Sequence, residues 1–405
     1  MENNKLIRRI GFPLLTFYGL GTILGAGIYV LVGKVATQAG LLTPLAFLVA
    51  AGVAAITAFS YIQLVITFPK SAGEAYYVEK SFTRPWYSIV VGYLVIFVGV
   101  ISAATLANGF VGYLSVFLDI SHQGAIIFIV LLLGGIALWG IAESLWIAAI
   151  ITLVEIGGLL LVIYFAGDAL STLPEKWDSV LIPEAGIEWS MVIAGAFLAF
   201  YAFIGFEDMV NVVEEVKDPQ KTMPRAILSA LIISSILYVL VALVAILGMP
   251  LDELSASSSP LQALLTIDHP KAGIWISVIS LFAILNGVLT QIIMASRVLY
   301  GMAEQGRAPI AFAGVSALTH TPWLATFSIV ILILIFSLWL PLVVLAKTTS
   351  FIILIIFSIV NLALWKLNKM GKIPEDKRLP AWPLLGAILC VGLLLFQIFN
   401  VLTFI

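Results

Sequence analysis

The stretch Gly19-Leu-Gly-Thr-Ile-Leu-Gly-Ala-Gly-Ile-Tyr29 lies inside the first long apolar segment of the chain. It holds four glycines, and each costs a helix interior about 1 kcal/mol relative to alanine. A helix break within lipid is tolerated only where the backbone is buried in protein or lines a water-filled cavity. We therefore expect a break near Gly25–Gly27 that presents amides and carbonyls to a mid-membrane binding site, as in secondary transporters. Close packing of an intact helix is the alternative reading of the same glycines.

Composition places the chain among polytopic membrane proteins. Of its 405 residues, 62% are hydrophobic and only 10% are charged, against about 25% charged in soluble domains. The single cysteine, Cys390, excludes an internal disulfide. The three histidines fall between the apolar runs, so we expect no metal cluster. We also expect no other cofactor, no nucleic-acid partner and no cleavable signal peptide, and the surrounding partner is the lipid bilayer.

Apolar runs of about 20 residues are long enough to span a bilayer, and the sequence contains eleven of them. They cover 14–36, 41–67, 86–118, 124–141, 144–169, 189–212, 225–248, 272–300, 322–342, 346–366 and 382–404. Gly301–Pro309 is typical of a helix end, and Pro224 is expected to open the seventh run.

The distribution of basic residues predicts the orientation. With the N-terminus in the cytoplasm, 16 of the 20 Lys and Arg residues lie inside, and only Lys34, Lys176, Lys271 and Lys347 lie outside. Cytoplasmic loops carry such an excess. The prediction is a multi-pass protein of the cell membrane with a cytoplasmic N-terminus and, after eleven spans, an external C-terminus.

Runs one and six are both interrupted by glycines, and they are five spans apart. An odd separation gives the two halves opposite orientations, as in inverted-topology repeats. We expect one domain over 1–405, with a first repeat at 1–170, a second at 186–366 and an additional C-terminal helix at 380–405. The predicted fold is an all-α, five-plus-five inverted repeat of the leucine-transporter type.

The interruption of run six is Tyr201-Ala-Phe-Ile-Gly-Phe-Glu207. An acidic side chain this deep in a span is a functional hypothesis by default, and Glu207 is expected to be buried against backbone amides or a polar partner. A purely structural role is the alternative for Glu207. Asp208 lies nearer the inner surface, where it is either solvated or part of a gate.

These motifs resemble the amino acid–polyamine–organocation permeases. The first helix of that family is written Gly-x-Gly-x-x-Ile-Gly-x-Gly-Ile-Phe, and here Leu24 and Tyr29 replace the first isoleucine and the phenylalanine. Phe203-x-Gly-Phe-Glu207, continued by Glu-Glu-Val-Lys-Asp-Pro-x-Lys-x-x-Pro-Arg225, resembles the family's sixth helix and its exit loop. The resemblance continues through Ser296–Pro309 and Thr321-Pro322. Members usually have twelve spans, so the eleven here suggest that the last one is missing.

The resemblance implies a substrate site between broken helices one and six. The α-carboxylate would meet amides at Gly25, Ala26 and Gly27, and the α-amino group would meet carbonyls near Thr22, Ile23, Phe203 and Ile204, beside the Gly205 break. Phe203 and Phe206 would cover the substrate, with ordinary packing as the alternative. Further cavity candidates are Ala103, Ala104, Asn108, Ser280 and Asn286, although an asparagine in a span also bonds to neighbouring helices.

A further departure from the family pattern lies in the fifth run. The fifth helix of many members carries Thr-x-x-Lys, whose amine can replace a sodium ion, whereas this chain has Thr152-Leu-Val-Glu155. A buried carboxyl can load and release a proton near neutral pH, because burial disfavours its charged form. We expect Glu155 to be the coupling site, with H⁺ favoured over sodium. A position near the inner end of run five, reached by water, is the alternative.

The expected function is proton-coupled secondary transport of amino acids or related amines by alternating access. An amino acid or polyamine exchanger and a ligand sensor are the alternatives, and an enzyme is not expected because no histidine lies close to a buried acid. The sequence leaves the substrate side chain and the oligomeric state open. Glu207 belongs to the family pattern whatever is carried, and a pocket bordered by Phe203 and Phe206 fits neutral side chains at least as well as cationic ones.

Overall fold

The structure is a computed structural model, and it describes residues 8–25, 27–70, 73–139, 145–184, 186–374 and 381–403, with 145–147 and 403 described by backbone alone. Within these residues the chain is helical. The β pairing in the described part of the chain is an isolated parallel bridge between Ile10 and Val216.

The structure contains sixteen α-helices among its described residues. In chain order they are α1 (Phe12–Leu24), α2 (Gly27–Ala39), α3 (Thr43–Thr67), α4 (Gly73–Ser81), α5 (Trp86–Leu114), α6 (His122–Trp139), α7 (Leu145–Phe165), α8 (Leu173–Leu181), α9 (Gly186–Ala199), α10 (Pro219–Gly248), α11 (Leu251–Ala256), α12 (Pro260–Thr266), α13 (Pro270–Glu304), α14 (Trp323–Trp339), α15 (Leu342–Lys369) and α16 (Trp382–Thr403). Short 3₁₀ helices cover Gly40–Leu42, Gly167–Thr172, Phe200–Phe203, Phe206–Glu215 and Ile310–Ala313.

The helices account for the predicted spans. In the described ranges, nine helical stretches are long and apolar enough to cross a membrane, and Phe12–Leu24 and Trp323–Trp339 are shorter apolar helices. One of the nine stretches, Gly27–Thr67, contains both α2 and α3. Of these, α2 belongs with α1 to the broken first run, and α3 is the second run. Each of the eleven apolar runs therefore corresponds to helix, and the polytopic all-α fold is confirmed.

Both predicted interruptions are present. The first run divides at Gly25, between α1 and α2. In the sixth run, α9 ends at Ala199 and the chain continues as two 3₁₀ segments separated by Ile204 and Gly205. A 3₁₀ segment of ten residues, Phe206–Glu215, is unusual, because such helices rarely exceed three or four residues and often mark functional hinges.

Two details of the connections differ from the sequence prediction. Pro224 does not open the seventh span, because α10 begins five residues earlier at Pro219 and contains Pro224 in its interior. Pro219 already suits the first helical position, where its missing N–H costs nothing. The connecting helix α4 was not predicted, because its nine residues include charged side chains and lack a long apolar run.

Helix α4 defines one end of the bundle, called the α4 end below. Arg307, just after α13, forms an ion pair of 2.9 Å with Glu79 of α4 and a hydrogen bond of 3.1 Å to Ser88 of α5. Beyond α15, the Lys372 amine donates to the carbonyl of Lys80 at 3.2 Å. The chain before α1 also lies at this end, where the Ile10–Val216 bridge ties it to the inner part of run six.

The opposite end, called the α11 end, is tightly packed around α2. A Cβ at Gly33 would lie 2.4 Å from the carbonyl oxygen of Leu254 in α11, and a Cβ at Gly109 would lie 2.4 Å from Val30. The Lys34 amine donates to the carbonyl of Ser255 at 2.7 Å. Glycines thus let α2, α5 and α11 approach each other closely, in the way that small residues do in membrane helices.

The C-terminal helix α16 packs against α3 and α15. Buried polar groups support this packing: Ser60 donates to Asn361 Oδ1 at 2.6 Å, and Asn361 Nδ2 donates to Thr57 at 3.1 Å. A Cβ at Gly386 would lie 2.7 Å from Asn361 Oδ1, so α16 needs a glycine where it passes this network. Cys390 is buried on the same helix, 3.7 Å from the Thr57 hydroxyl.

Candidate functional site

A cavity lies where the interruption of run one meets the interruption of run six. Its volume is about 80 Å³, measured as the space open to the centres of water molecules. One water needs about 10–15 Å³ on this scale, so the cavity has room for a small organic molecule. Its walls are formed by Tyr18, Gly21, Thr22, Ile23, Gly25, Gly27, Ser102, Leu106, Ala148, Thr152, Tyr201, Ile204, Asp208, Asn286, Gly287, Thr290 and Gln291.

The cavity extends toward the α4 end of the bundle. Thr152 lies in the first half of α7, and Gln291 lies in the second half of α13, which are the halves of these helices near that end. Toward the α11 end, Tyr113 Oη donates to the carbonyl of Tyr29 at 2.7 Å and the Gly109–Val30 contact closes the packing. The site is therefore closed toward the α11 end.

The break in run one supplies backbone to the cavity wall. Thr22, Ile23, Gly25 and Gly27 all line it, and Ala26 lies outside the described residues. The Gly25 N–H still donates to Gly21, at 3.3 Å, so α1 keeps its last hydrogen bond. At Gly27 the chain restarts as α2, whose N-terminal amides have no partners within their own helix and face an anion favourably.

The break in run six is held by its own acidic residue. Gly205 has φ +128°, which L side chains rarely adopt, and a Cβ there would lie 2.3 Å from the carbonyl oxygen of Thr22. The Gly205 N–H donates to Glu207 Oε2 at 2.8 Å. Glu207 is 5% exposed. Its carboxyl oxygen accepts the Gly205 N–H in place of the backbone carbonyl that a continuous helix would provide.

Tyr238 of α10 joins the two breaks. Its hydroxyl lies 2.6 Å from the carbonyl oxygen of Ile23 and 2.9 Å from that of Ala202. A carbonyl oxygen has two lone pairs, so Ile23 can still accept a donor from a ligand. Sequence reasoning missed Tyr238, because it belongs to neither broken run and lies far along the chain from both.

Phe203 and Phe206 are placed outside the cavity wall. Both are fully buried, with Phe203 packed against Tyr238 at a centroid distance of 5.1 Å and Phe206 packed against Tyr61 at 5.6 Å. Their neighbours Tyr201 and Ile204 face the cavity instead. Phe203 and Phe206 were expected to cover the substrate, with ordinary packing as the alternative. In this structure both rings have the environment of ordinary packing.

Of the residues on α5 and α13 that were expected to line the cavity, the structure places one at the wall and the others elsewhere. Ala103 is buried away from the wall, and Asn108 bonds to the Ser337 carbonyl at 3.0 Å and to His122 at 3.0 Å in a separate pocket toward the α11 end. Ser280 is buried and donates to the carbonyl one turn earlier in α13. Asn286 does line the cavity.

Other polar wall residues were not predicted. They are Tyr18, Ser102, Thr152, Tyr201, Thr290 and Gln291. The signal for the α13 residues was present in the sequence, since Asn286, Thr290 and Gln291 place three polar side chains close together in an otherwise apolar span. The Tyr201 hydroxyl pairs with the Ser102 hydroxyl at 3.0 Å, which fixes its orientation at the wall.

Glu155 lies one helical turn from the cavity residue Thr152 on α7. It is 1% exposed, so the alternative that water reaches its side chain does not hold in this conformation. The Tyr29 hydroxyl donates to the backbone carbonyl of Glu155 at 2.6 Å, which ties α2 to α7 at this level. Asp208 is half-buried and faces the cavity, at the start of the inner segment of run six.

Comparison with known proteins gives a match over almost the whole chain. A family model described as "Amino acid permease" matches residues 10–405. The chain is 26% identical to the branched-chain amino acid permease BcaP of Bacillus subtilis over 420 residues, covering 96% of this chain and 88% of that protein. It is 28% identical over 416 residues to a methylthioribose transporter of the same organism, with the same coverage.

Longer relatives from plants also match. The chain is 27% identical over 401 residues to cationic amino acid transporter 2, vacuolar, of Arabidopsis thaliana, covering 94% of this chain and 62% of that protein. The chain therefore spans less than two thirds of the length of this relative. The relatives differ in the cargo that their names state, so identity at this level does not name a substrate.

Proposed function

The chain belongs to the amino acid permease family, and on that premise we propose that it is a secondary active transporter of amino acids or related amines. Alternating access of one central site to the two sides of the membrane is the proposed mechanism. The observation that carries the proposal is the meeting of two broken helices at one cavity, which is closed toward the α11 end. Permeases are carriers rather than enzymes, and the proposal includes no chemical step.

The breaks suit the two charged groups of an amino acid. The α-carboxylate is placed at Gly25–Gly27, where the start of α2 offers amides and the positive end of a helix dipole. The α-amino group is placed against carbonyls at Thr22, Ile23 and Ile204, which line the same cavity. Both charges are then met by backbone groups, so these contacts do not depend on the substrate side chain.

Glu155 is the proposed coupling residue, with H⁺ as the coupling ion. Its burial on α7, one turn from the cavity, supports this role, since an acid within a span marks proton or substrate pathways. Tyr29 connects the backbone of Glu155 to α2, which follows the substrate-binding break. Protonation of this carboxyl would thus act on the helix pair that has to move.

We place the α4 end in the cytoplasm, so that the cavity faces inward in this conformation. The excess of basic residues in the loops at that end supports this orientation. The division into repeats at 1–170 and 186–366, with an additional helix at 380–405, is part of the same proposal. In it, the two broken runs are equivalent elements of opposite orientation.

Counterflow in liposomes tests the function. Purified full-length protein, reconstituted with unlabelled amino acid inside, is expected to accumulate labelled amino acid transiently from outside. A strict exchanger would show counterflow but no net uptake driven by a pH gradient. A ligand sensor would bind amino acids and move none, and that result would contradict the proposal.

A further inference from the structure

The cavity wall is rich in hydrogen-bond acceptors. Thr22 and Thr152 donate their hydroxyl protons to carbonyls one turn earlier in their own helices, at 3.0 and 2.8 Å. Tyr201 donates to the carbonyl of Ser102 at 3.2 Å. Each hydroxyl carries one proton, so what these groups offer a ligand is oxygen lone pairs.

Two amides on α13 add to this wall. Both Asn286 and Gln291 line the cavity, and their oxygens Oδ1 and Oε1 are buried with no hydrogen-bond donor from the described residues. A buried acceptor without a donor costs free energy. A ligand with several N–H donors would satisfy both oxygens, whereas an aliphatic side chain would satisfy neither.

Asp208 gives the wall a carboxyl group. It is half-buried at the cavity, and no ion pair between described residues includes it. The described wall contains no Lys, Arg or His. The titratable groups that interact with Asp208 are Glu207, its neighbour on the same 3₁₀ segment, and Glu74 of α4, and both are themselves acidic. A charge in such surroundings needs an opposite charge, and the substrate is the group that can bring one.

We propose that this cavity selects substrates with a second ammonium group, such as cationic amino acids, and that Asp208 is the specificity-determining residue. The inference rests on the proposed transport function and adds the substrate class to it. The backbone at the two breaks binds the α-carboxylate and the α-amino group, while Asp208, Asn286 and Gln291 bind the side-chain ammonium. A neutral side chain leaves Asp208 without a counter-charge, and this difference creates the selectivity.

The test compares substrates of matched length in the reconstituted full chain. Lysine against norleucine and ornithine against norvaline differ mainly in the terminal ammonium. We expect the wild type to transport lysine with a kcat/KM at least about tenfold above that for norleucine. In Asp208→Asn the ratio should fall to about threefold or less, through loss of lysine transport with norleucine transport unchanged. Asp208→Glu, which keeps the charge, should retain the preference.

Glu214→Gln is the matched control, because Glu214 lies on the same 3₁₀ segment and pairs with Lys70 at the surface. It should keep the wild-type ratio of lysine to norleucine transport.

Equal or better transport of norleucine by the wild type would overturn the selectivity and leave the transporter proposal standing. A lysine preference that survives in Asp208→Asn would overturn the role of Asp208. If no amino acid undergoes counterflow, both proposals fail. Should Asp208→Asn not fold, Asp208→Ser replaces it with the same expected loss.

Discussion

At the scale of single residues, Glu155 departs from the pattern that the family resemblance implies. The resemblance implies a lysine where this chain has an acid, and the structure buries that acid one helical turn from the cavity residue Thr152. A buried carboxyl is stable in lipid when it is protonated or has a polar partner. Loading and unloading of one proton would therefore change the interactions of α7 with its neighbours.

Glu155→Gln should abolish the dependence of transport on a pH gradient. Glutamine has nearly the same shape as protonated glutamate but cannot release a proton, so substrate counterflow should continue while proton-driven accumulation stops. The measurement is uptake into liposomes with and without an imposed pH gradient. Glu188→Gln, in the first turn of α9, should behave as the wild type. Unchanged gradient dependence in Glu155→Gln would contradict the coupling role.

At the scale of elements, the two interruptions are packed directly against each other. The closest point is Gly205 against the carbonyl of Thr22, and Gly27 against the backbone of Ala202 is nearly as tight. Neither interruption can shift alone without disturbing the other. The two runs are therefore coupled at their breaks, and the Ile10–Val216 bridge joins the inner part of run six to the chain before α1.

Gly205→Ala should destabilise the protein and abolish substrate binding. The added Cβ meets backbone at 2.3 Å and requires an L residue at φ +128°, a conformation that alone costs about 1–3 kcal/mol. Gly157→Ala on α7 is the matched control, since its Cβ would have no atom within 4 Å and helical φ suits alanine. Thermal unfolding in detergent should show a Tm below that of the wild type for Gly205→Ala and an unchanged Tm for Gly157→Ala. Equal Tm values for the two variants would refute the packing argument.

Helix α4 contributes a pH dependence of its own. Burial raises the pKa of Glu74 above its ordinary value, and this effect outweighs the hydrogen bond from Tyr61 Oη at 3.1 Å, which lowers the pKa. The folded chain thus favours protonated Glu74. Its stabilising contribution is complete below the ordinary glutamate pKa of about 4.3 and is lost as pH rises through the raised pKa.

Glu74→Gln should flatten this dependence. Above about pH 4.3 the Tm of the wild type should fall with pH more steeply than that of the variant, because the variant has no proton to lose at this position. The measurement is Tm against pH for both proteins. Glu304 is an exposed carboxyl group at the end of α13, so Glu304→Gln should show the same change of Tm with pH as the wild type. Parallel curves for Glu74→Gln and the wild type would contradict the assignment.

At the scale of the whole molecule, the two ends of the bundle differ in packing around the cavity. Closure at the α11 end depends on the close contacts of Gly33 and Gly109, whereas the cavity between the two breaks extends toward the α4 end, where Thr152 and Gln291 line it. Glycine contacts of this kind carry no strong bonds, so they can part when the other side closes. This asymmetry is what one state of an alternating-access cycle requires.

A cysteine introduced at Gln291 should react with a membrane-impermeant maleimide added from the cytoplasmic side, and bound substrate should slow the reaction. The only native thiol, Cys390, is fully buried, so background labelling should be low. Ser121→Cys, exposed beside α6 near the α11 end, should be labelled only from outside and without a substrate effect. Labelling of both positions from the same side would contradict the orientation.

The positions of the eleven apolar runs and of the two breaks could be predicted from the amino-acid sequence alone. Both depend on local properties, namely the length of an apolar run and the cost of glycine in a helix, and these act on the chain wherever it lies. The family pattern in the two broken runs added the expected position of the site, and the structure indeed brings Thr22, Gly25, Gly27 and Ile204 to one cavity.

Which side chains face that cavity could not be predicted, because this depends on how the helices pack. Phe203 and Phe206 are buried in packing while Tyr201 and Ile204 line the wall, because the 3₁₀ turns and the positive φ at Gly205 set side-chain directions that no helical period predicts. Asn108 and Asn286 are alike in sequence, yet one bonds to α6 and α14 and the other faces the site. Such choices depend on where partner helices lie, and that information is absent from any local stretch of the chain.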